Sequence, residues 1–300
     1  MKVHLIGIGG VGMSGLAVLL KAHGHEVSGC DIHASPRTKW LEEQDVRVFI
    51  GHNPSHLSGV DEVVVTPAVS RTEPELVSFR GPIRYRGEVL AELVNEAPDT
   101  IAVCGSHGKT TTATWIAKLL KALGEDVSWC IGGETGAFPV AGVGTGPLVV
   151  EADESDGTLA LYKAKTLVVN KCEYDHPDHF KTEADYFACY EMAKRPAANV
   201  INSEGLDALE ALDALEDLAP HNRKNARAAI EVALCRGHKL DDIVKTLPEI
   251  VAELPDRRFQ IVYPTTLNSQ LSTLNSVTVV TDYAHHPTEM RCAVEMARAK

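Results

Sequence analysis

The stretch IAVCGSHGKTTTATWIAKLLKALG, residues 101–124, decides how this chain is read. A short apolar run enters a glycine-bearing turn, which opens onto Lys109, Thr110, Thr111 and a helical pattern ending at Gly124. In a strand–loop–helix unit of this kind, backbone N–H groups cradle phosphates, a lysine reaches the β and γ oxygens, and a hydroxyl holds Mg²⁺. The strict eight-residue pattern needs glycine at 103, where this chain has Val103, so GSHGKT at 105–110 is a shortened variant. The expectation is an ATP site on Gly105, Ser106, His107, Gly108, Lys109, Thr110 and Thr111. The competing reading is a glycine-rich turn whose lysine is merely solvated.

Outward from this stretch, strand-like runs and helical patterns alternate. Before it stand VHLIGI, EVSGCD, VRVFIG and VDEVVVTPA as strands, and VGMSGLAVLLKAHG and GEVLAELVNEA as helices, the second closed by Pro98. After it come the strands DVSWCI, PLVVEAD and KTLVVN, with helical patterns at about 183–194, 222–235 and 239–246. Such alternation implies parallel strands with crossover helices, an α/β class. The polar NEAPDT places a boundary near Asp99. The expected division is 1–98, 99–254 and 255–300, the last piece carrying little more than one strand and one helix. Residues 203–220, SEGLDALEALDALEDLAP, are acidic and nearly repeat, as a solvated helical connector does.

A second glycine loop opens the chain. GIGGVG at 7–12 places Gly7, Gly9 and Gly12 between a strand and a helix, and Asp31 ends the next strand 19 residues later. This is the geometry of a pyrophosphate at a helix N-terminus. A nicotinamide dinucleotide, another nucleotide and plain close packing all remain open from the motif alone.

Two further clusters end strands. VVEADESDG carries Glu151, Asp153, Glu154 and Asp156, oxygen ligands where a hard cation beside a phosphate loop needs them. NKCEYDHPDHF offers His176 and His179, but their surroundings lack the spacing of a structural zinc site, so a mixed Mg²⁺ ligand or substrate contact is expected at His176. HNRKN at 221–225 puts two amides at the start of a helix, where Asn222 either caps it or meets a base edge. DYAHHP at 282–287 places Asp282 and His286 on a turn.

The bulk numbers exclude other classes. A formal net charge of −12 disfavours nucleic acid and anionic membrane surfaces as partners. No apolar run reaches the length of a membrane span. Seven scattered cysteines without a C-x-x-C pair read as reduced thiols, and a cytoplasmic location is expected.

Taken together and in order, GIGGVGMS, GSHGKTTT, EADESD, DHPDH, HNRKNA, DRRF and DYAHHPTE resemble the Mur ligase family, most closely its alanine-adding branch. The resemblance spans essentially the whole chain. It implies a UDP-binding Rossmann-like domain, a central P-loop ATPase domain and a C-terminal Rossmann-like domain. It implies Mg²⁺- and ATP-dependent ligation of L-alanine to the lactoyl carboxylate of UDP-N-acetylmuramate through an acyl phosphate. The related recycling ligase, which attaches a tripeptide to the same sugar nucleotide, fits the same motifs.

Carried over by position, the resemblance makes Lys109, Glu151 and His176 catalytic, and Thr110, Glu151 and His176 the Mg²⁺ ligands. Asn222 and Asn225 face adenine, and Arg258, Asp282 and His286 the phosphate, ribose or base. Gly9, Gly10, Val11, Gly12 and Met13 meet the UDP diphosphate, while Asp31, His52, Thr66 and Ser70 surround the uridine. Two departures from the family pattern are expected: a central domain shortened around 203–220 and an incomplete third domain.

Overall fold

The computed structural model describes residues 1–70, 72–134, 138–205, 215–216, 218–255, 260–262, 279–282, 284 and 286–299. The first sheet is built from β1 (Lys2–Ile6), β2 (Glu26–Asp31), β3 (Arg47–Ile50), β4 (Glu62–Val65) and β5 (Ile83–Tyr85). All its neighbours run parallel, in the order β3-β2-β1-β4-β5. Its helices are α1 (Val11–Ala22), α2 (Pro36–Glu43), α3 (Pro74–Ser78) and α4 (Arg86–Glu96). The chain winds outward from β1 in one direction, then from β4 in the other. The crevice at that switch point lies beyond the carboxyl ends of β1 and β4, where ligands of open α/β sheets bind.

The second sheet has the order β11-β10-β6-β9-β7-β8. Its strands are β6 (Thr100–Cys104), β7 (Ser128–Cys130), β8 (Ala141–Gly142), β9 (Leu148–Glu151), β10 (Thr166–Val169) and β11 (Asn199–Asn202). Only β8 is antiparallel to its neighbour. The helices α5 (Lys109–Ala122), α6 (Glu183–Lys194), α7 (Pro220–Cys235) and α8 (Leu240–Val251) complete this layer. Near the end of the chain β12 (Gln260–Val262) and β13 (Val279–Thr281) pair antiparallel, and α9 (Pro287–Ala299) follows.

The expected strands and the main helices are present. Several features were not anticipated: the helices α2 and α3, the strands β5, β8, β11 and β12, and the length of α8. The spacing stops that helix at 246, whereas it continues through Pro248 to Val251. Proline removes a helical hydrogen bond. Here the loss is offset because Ile243, Leu247, Ile250 and Val251 are buried in the core shared with α5. Most of the acidic repeat at 203–220 lies outside the described residues, as does Arg258.

α1 explains how the two sheets join. Its residues Met13 to Leu20 are all buried, so the helix is covered on more than one face. One side packs on the first sheet. On the other, a Cβ on Gly15 would lie 2.8 Å from Cys130 Sγ of β7. A single hydrophobic cluster accordingly runs from Val3 and Leu16 through Leu90 to Val150 and Tyr186. Among the described residues no helix is long and apolar enough to cross a membrane.

Candidate active site

The loop between β6 and α5 is shaped by two glycines. Gly105 has φ +125° and Gly108 has φ +78°, conformations side chains rarely adopt. Gly108 is also the N-cap of α5, and a Cβ there would sit 2.5 Å from Asn225 Oδ1 on α7. The loop is tied to the segment after β10. Ser106 N–H donates to Lys171 O at 2.9 Å, and Ser106 Oγ donates to Glu173 O at 2.7 Å.

Lys109 is nearly buried, and its ammonium donates to Gly105 O at 2.8 Å and to both oxygens of Glu154 at 2.8 and 2.9 Å. Burial alone would lower its pKa; Glu154, Asp153 and Glu151 outweigh that and hold it above the ordinary value. Glu154 is fully buried and has His176 Nε2 at 3.8 Å on its other side. Hydrogen bonding to Glu154, against burial and with Asp175 and Asp153 nearby, raises His176 above the usual histidine range.

Thr110 Oγ1 donates to Glu151 Oε2 at 2.9 Å, and Gly132 N–H reaches the same oxygen at 2.7 Å. A hydroxyl and a carboxylate meeting in this way form an oxygen donor set for a hard dication. The structure thus brings Thr110 and Glu151 together. His176 instead sits against Glu154, and among the described residues no hydrogen bond or ion pair joins it to Glu151. Glu154 was visible in the acidic run, but only the fold shows that it takes the lysine.

A cavity of about 310 Å³ lies beside this loop, lined by His107, Gly108, Thr111, Asn222, Asn225 and Asp282 among others. Asn222 does not cap α7: the N-cap is Ala219, with Pro220 in the first turn. Asn222 is buried and accepts from Asn225 Nδ2 at 3.2 Å. His286 does not line the cavity but packs against His107, ring centroids 4.8 Å apart. His107 also contacts Glu173 at 2.7 Å and Glu289 of α9 at 3.3 Å. Burial would depress its pKa, and these two carboxylates raise it instead. Glu173 itself is held down to about 2, where hydrogen bonds from Lys171, Thr288 and His107 outweigh burial. Asn170 Oδ1, behind the loop, is buried without a hydrogen-bond partner. Glycines that tolerate no side chain and the Thr110–Glu151 donor pair fit a bound polyphosphate with its cation.

The first glycine loop follows the same logic. Gly7 has φ +79°, and Gly9 N–H donates to Asp31 Oδ2 at 2.8 Å. A cleft of about 480 Å³ opens between the sheets. On one wall stand Gly10, Val11, Gly12, Met13, Asp31 and Thr66; on the other stand Gly132, Glu151 and Asp153. Arg86, at the start of α4, bridges the two walls. It lies 3.1 Å from where a Gly12 Cβ would be, and its Nη2 lies 3.5 Å from Asp153 Oδ2. No sequence motif pointed to Arg86. His52 and Ser70 do not line this cleft. His52 contacts Cys30 and Glu75, both at 3.2 Å, and Ser70 is exposed and pairs with Thr72.

Comparison with known proteins agrees with this geometry. The family model described as Mur ligase family, catalytic domain, matches residues 2–97. UDP-N-acetylmuramate–L-alanine ligase of Rubrobacter xylanophilus is 34% identical over all of this chain and 75% of its own length. The chain belongs to the Mur ligase family. The protein of the same name from Gloeobacter violaceus is 32% identical, over 98% of this chain and 72% of its own. The chain therefore spans about three quarters of these relatives. The alignment with the Rubrobacter protein covers 349 positions against 300 residues, so about 49 positions face gaps in this Mur ligase. Among solved structures, the UDP-N-acetylmuramate–alanine ligase of Thermotoga maritima matches with TM-score 0.82 and 26% identity, over 99% of this chain and 77% of that one.

Proposed function

We propose that this chain is an ATP-dependent acid–amino-acid ligase of peptidoglycan precursor synthesis, joining L-alanine to the lactoyl carboxylate of UDP-N-acetylmuramate. Residues 1–98 bind the UDP-sugar, 99–254 bind ATP, and 255–300 begin a third domain. The observation that carries this reading is the cleft that has the first glycine loop on one wall and Glu151 on the other. The contact between Glu151 and Thr110 leads from that cleft directly to the second loop.

In this reading the UDP diphosphate lies at the N-terminus of α1, on Gly9 to Met13, with Asp31 and Thr66 on the uridine side, while His52 and Ser70 stand outside this cleft. Arg86 adds the positive charge that the chain's net −12 otherwise lacks. The sugar's lactoyl carboxylate then points toward Glu151. A carboxylate is a poor acyl donor, and phosphorylation gives it a leaving group. Its oxygen attacks the γ-phosphorus, the bond to the ADP oxygen breaks, and ADP leaves. The amine of alanine next attacks the acyl carbon; the C–N bond forms, the C–O bond breaks, phosphate leaves, and the amine's proton passes to solvent.

Positioning and charge neutralisation do most of this work. Lys109 neutralises the transferring group, with Glu154 holding its ammonium in place beforehand. Thr110 and Glu151, with His176 beyond Glu154, would hold Mg²⁺, which would supply Lewis-acid neutralisation of the phosphate oxygens. Asn222 and Asn225 meet adenine, while Asp282, His286 and Arg258 meet the ribose or phosphates. The protein works in the cytoplasm, in keeping with its scattered, unpaired cysteines.

The test is ADP release that requires both UDP-N-acetylmuramate and L-alanine, with the amide product identified by mass. ADP release supported by a tripeptide and not by alanine would reassign the chain to the recycling branch. Absence of any product with either amine, despite binding of both nucleotides, would refute turnover by this chain.

A further inference from the structure

A second cluster of chemistry-bearing side chains sits on the opposite side of β1 and β2 from α1. His4 comes from β1, Cys30 from β2, His56 from the turn at Pro54–Leu57, and Glu75 from α3. One ligand atom from each of the four lies within 4.8 Å of all the others. Glu75 is fully buried, as are His4 and Cys30. Cys30 Sγ donates to Glu75 Oε2 at 2.9 Å, and His56 Nδ1 lies 2.7 Å from Glu75 Oε1. The ligase reading leaves all four without a task.

We propose that His4, Cys30, His56 and Glu75 form a binding site for a transition-metal dication of the zinc class. Two imidazoles, one thiol and one carboxylate are the donor set such ions select over magnesium or calcium. At ordinary zinc bond lengths tetrahedral ligands lie roughly 3.3–3.7 Å apart, so the cluster needs only small side-chain movements to close on an ion.

The surroundings are arranged as they are around metal ligands. Ser28 Oγ occupies His4 Nδ1 at 2.9 Å, which leaves Nε2 as the coordinating nitrogen. That Nε2 is buried without a hydrogen-bond partner, an omission a metal would repair. Asn53 N–H at 2.9 Å and His52 Nδ1 at 3.2 Å orient the Glu75 carboxylate from outside. Such outer partners fix ligand geometry.

The protonation states also suit a ligand set. Burial, opposed by Glu75 and aided by His56 and His52, lowers His4 to about 4, so its ring is neutral. Burial raises Glu75, but hydrogen bonds from Cys30, Asn53, His56 and His52 prevail and keep it below its ordinary value. Burial and the Glu75 carboxylate push the Cys30 thiol up, so it holds its proton until a cation displaces it. Binding therefore releases the Cys30 proton to solvent, and thiolate plus carboxylate neutralise the dication.

The site would staple four elements of the first sheet. It also reaches the first glycine loop through the backbone, because Cys30 O accepts from Gly7 N–H at 2.8 Å and Ile8 N–H at 3.0 Å.

The test uses the full chain, stripped with a chelator and titrated with Co²⁺, then back-titrated with Zn²⁺. One equivalent of cobalt should produce thiolate-to-cobalt charge-transfer absorption with tetrahedral ligand-field bands, and zinc should abolish both. Cys30→Ser, checked for folding by circular dichroism, should lose the charge-transfer band, and Cys235→Ser, at an exposed cysteine, should keep it. His56→Gln, at a partly exposed position, should bind cobalt roughly 10- to 100-fold more weakly or not at all. A stripped wild type that shows no thiolate band would overturn the site. So would a band that survives Cys30→Ser, or an affinity unchanged in His56→Gln.

Discussion

Lys109 and Glu154 form a close charge pair in the candidate active site, at 2.8 Å, and their two truncations should behave differently. Lys109→Ala removes the donor and leaves Glu154 buried with one partner fewer; ADP release should fall roughly 100- to 1,000-fold. Glu154→Gln keeps the shape but loosens the ammonium, so the loss should be smaller and fall mainly on kcat. Steady-state kinetics of both variants decide this, and equal losses would remove Glu154 from the positioning role. His107 adds a pH dependence. Its folded pKa is raised by Glu173 and Glu289, so its contribution to stability is fully present below the unfolded value of about 6.5. That contribution is lost as pH rises through the raised folded value. The stability gap between wild type and His107→Gln should therefore be widest at mildly acidic pH and narrow above neutrality, read from thermal melts across that range.

At the scale of the element, α1 is the informative case. VGMSGLAVLL is apolar with little helical alternation, the pattern of a helix covered on several sides. Gly15 faces Cys130 at a spacing with no room for a methyl group. Gly15→Ala should favour the isolated helix by its propensity, yet destabilise the protein by about 1–3 kcal/mol through overpacking. A melt showing a net gain would mean that the contact between helix and sheet is looser than described. α8 teaches the converse lesson: Pro248 marks a stop by local rules, and burial of Ile250 and Val251 carries the helix past it.

At the scale of the whole molecule, the two sheets share one apolar cluster through α1. They should therefore unfold together. Trp40 belongs to α2 of the first sheet, while Trp115 and Trp129 belong to the second and are the only other tryptophans. Variants keeping either Trp40 alone or the other two should give coincident denaturant midpoints by fluorescence. Separate midpoints would show that the core is divided at α1. Leu16→Ala, at a fully buried position of that helix, should lower both midpoints together and cost about 2–5 kcal/mol.

The sequence by itself determined the strand–loop–helix units, the parallel α/β class and the two glycine loops. These rest on local rules: apolar periodicity, and glycine where the backbone must turn with positive φ. Lys109, Thr110 and Glu151 could be singled out for the same reason, since the first two open α5 after the glycine turn and the third ends β9. Only the tertiary structure decided that Glu154 takes Lys109, that Asn222 is buried against Asn225 instead of capping α7, and that Arg86 spans the cleft. It alone gathers His4, Cys30, His56 and Glu75 into one cluster. Those residues lie tens of positions apart, and what unites them is parallel strand register and helix packing, which no short-range pattern records.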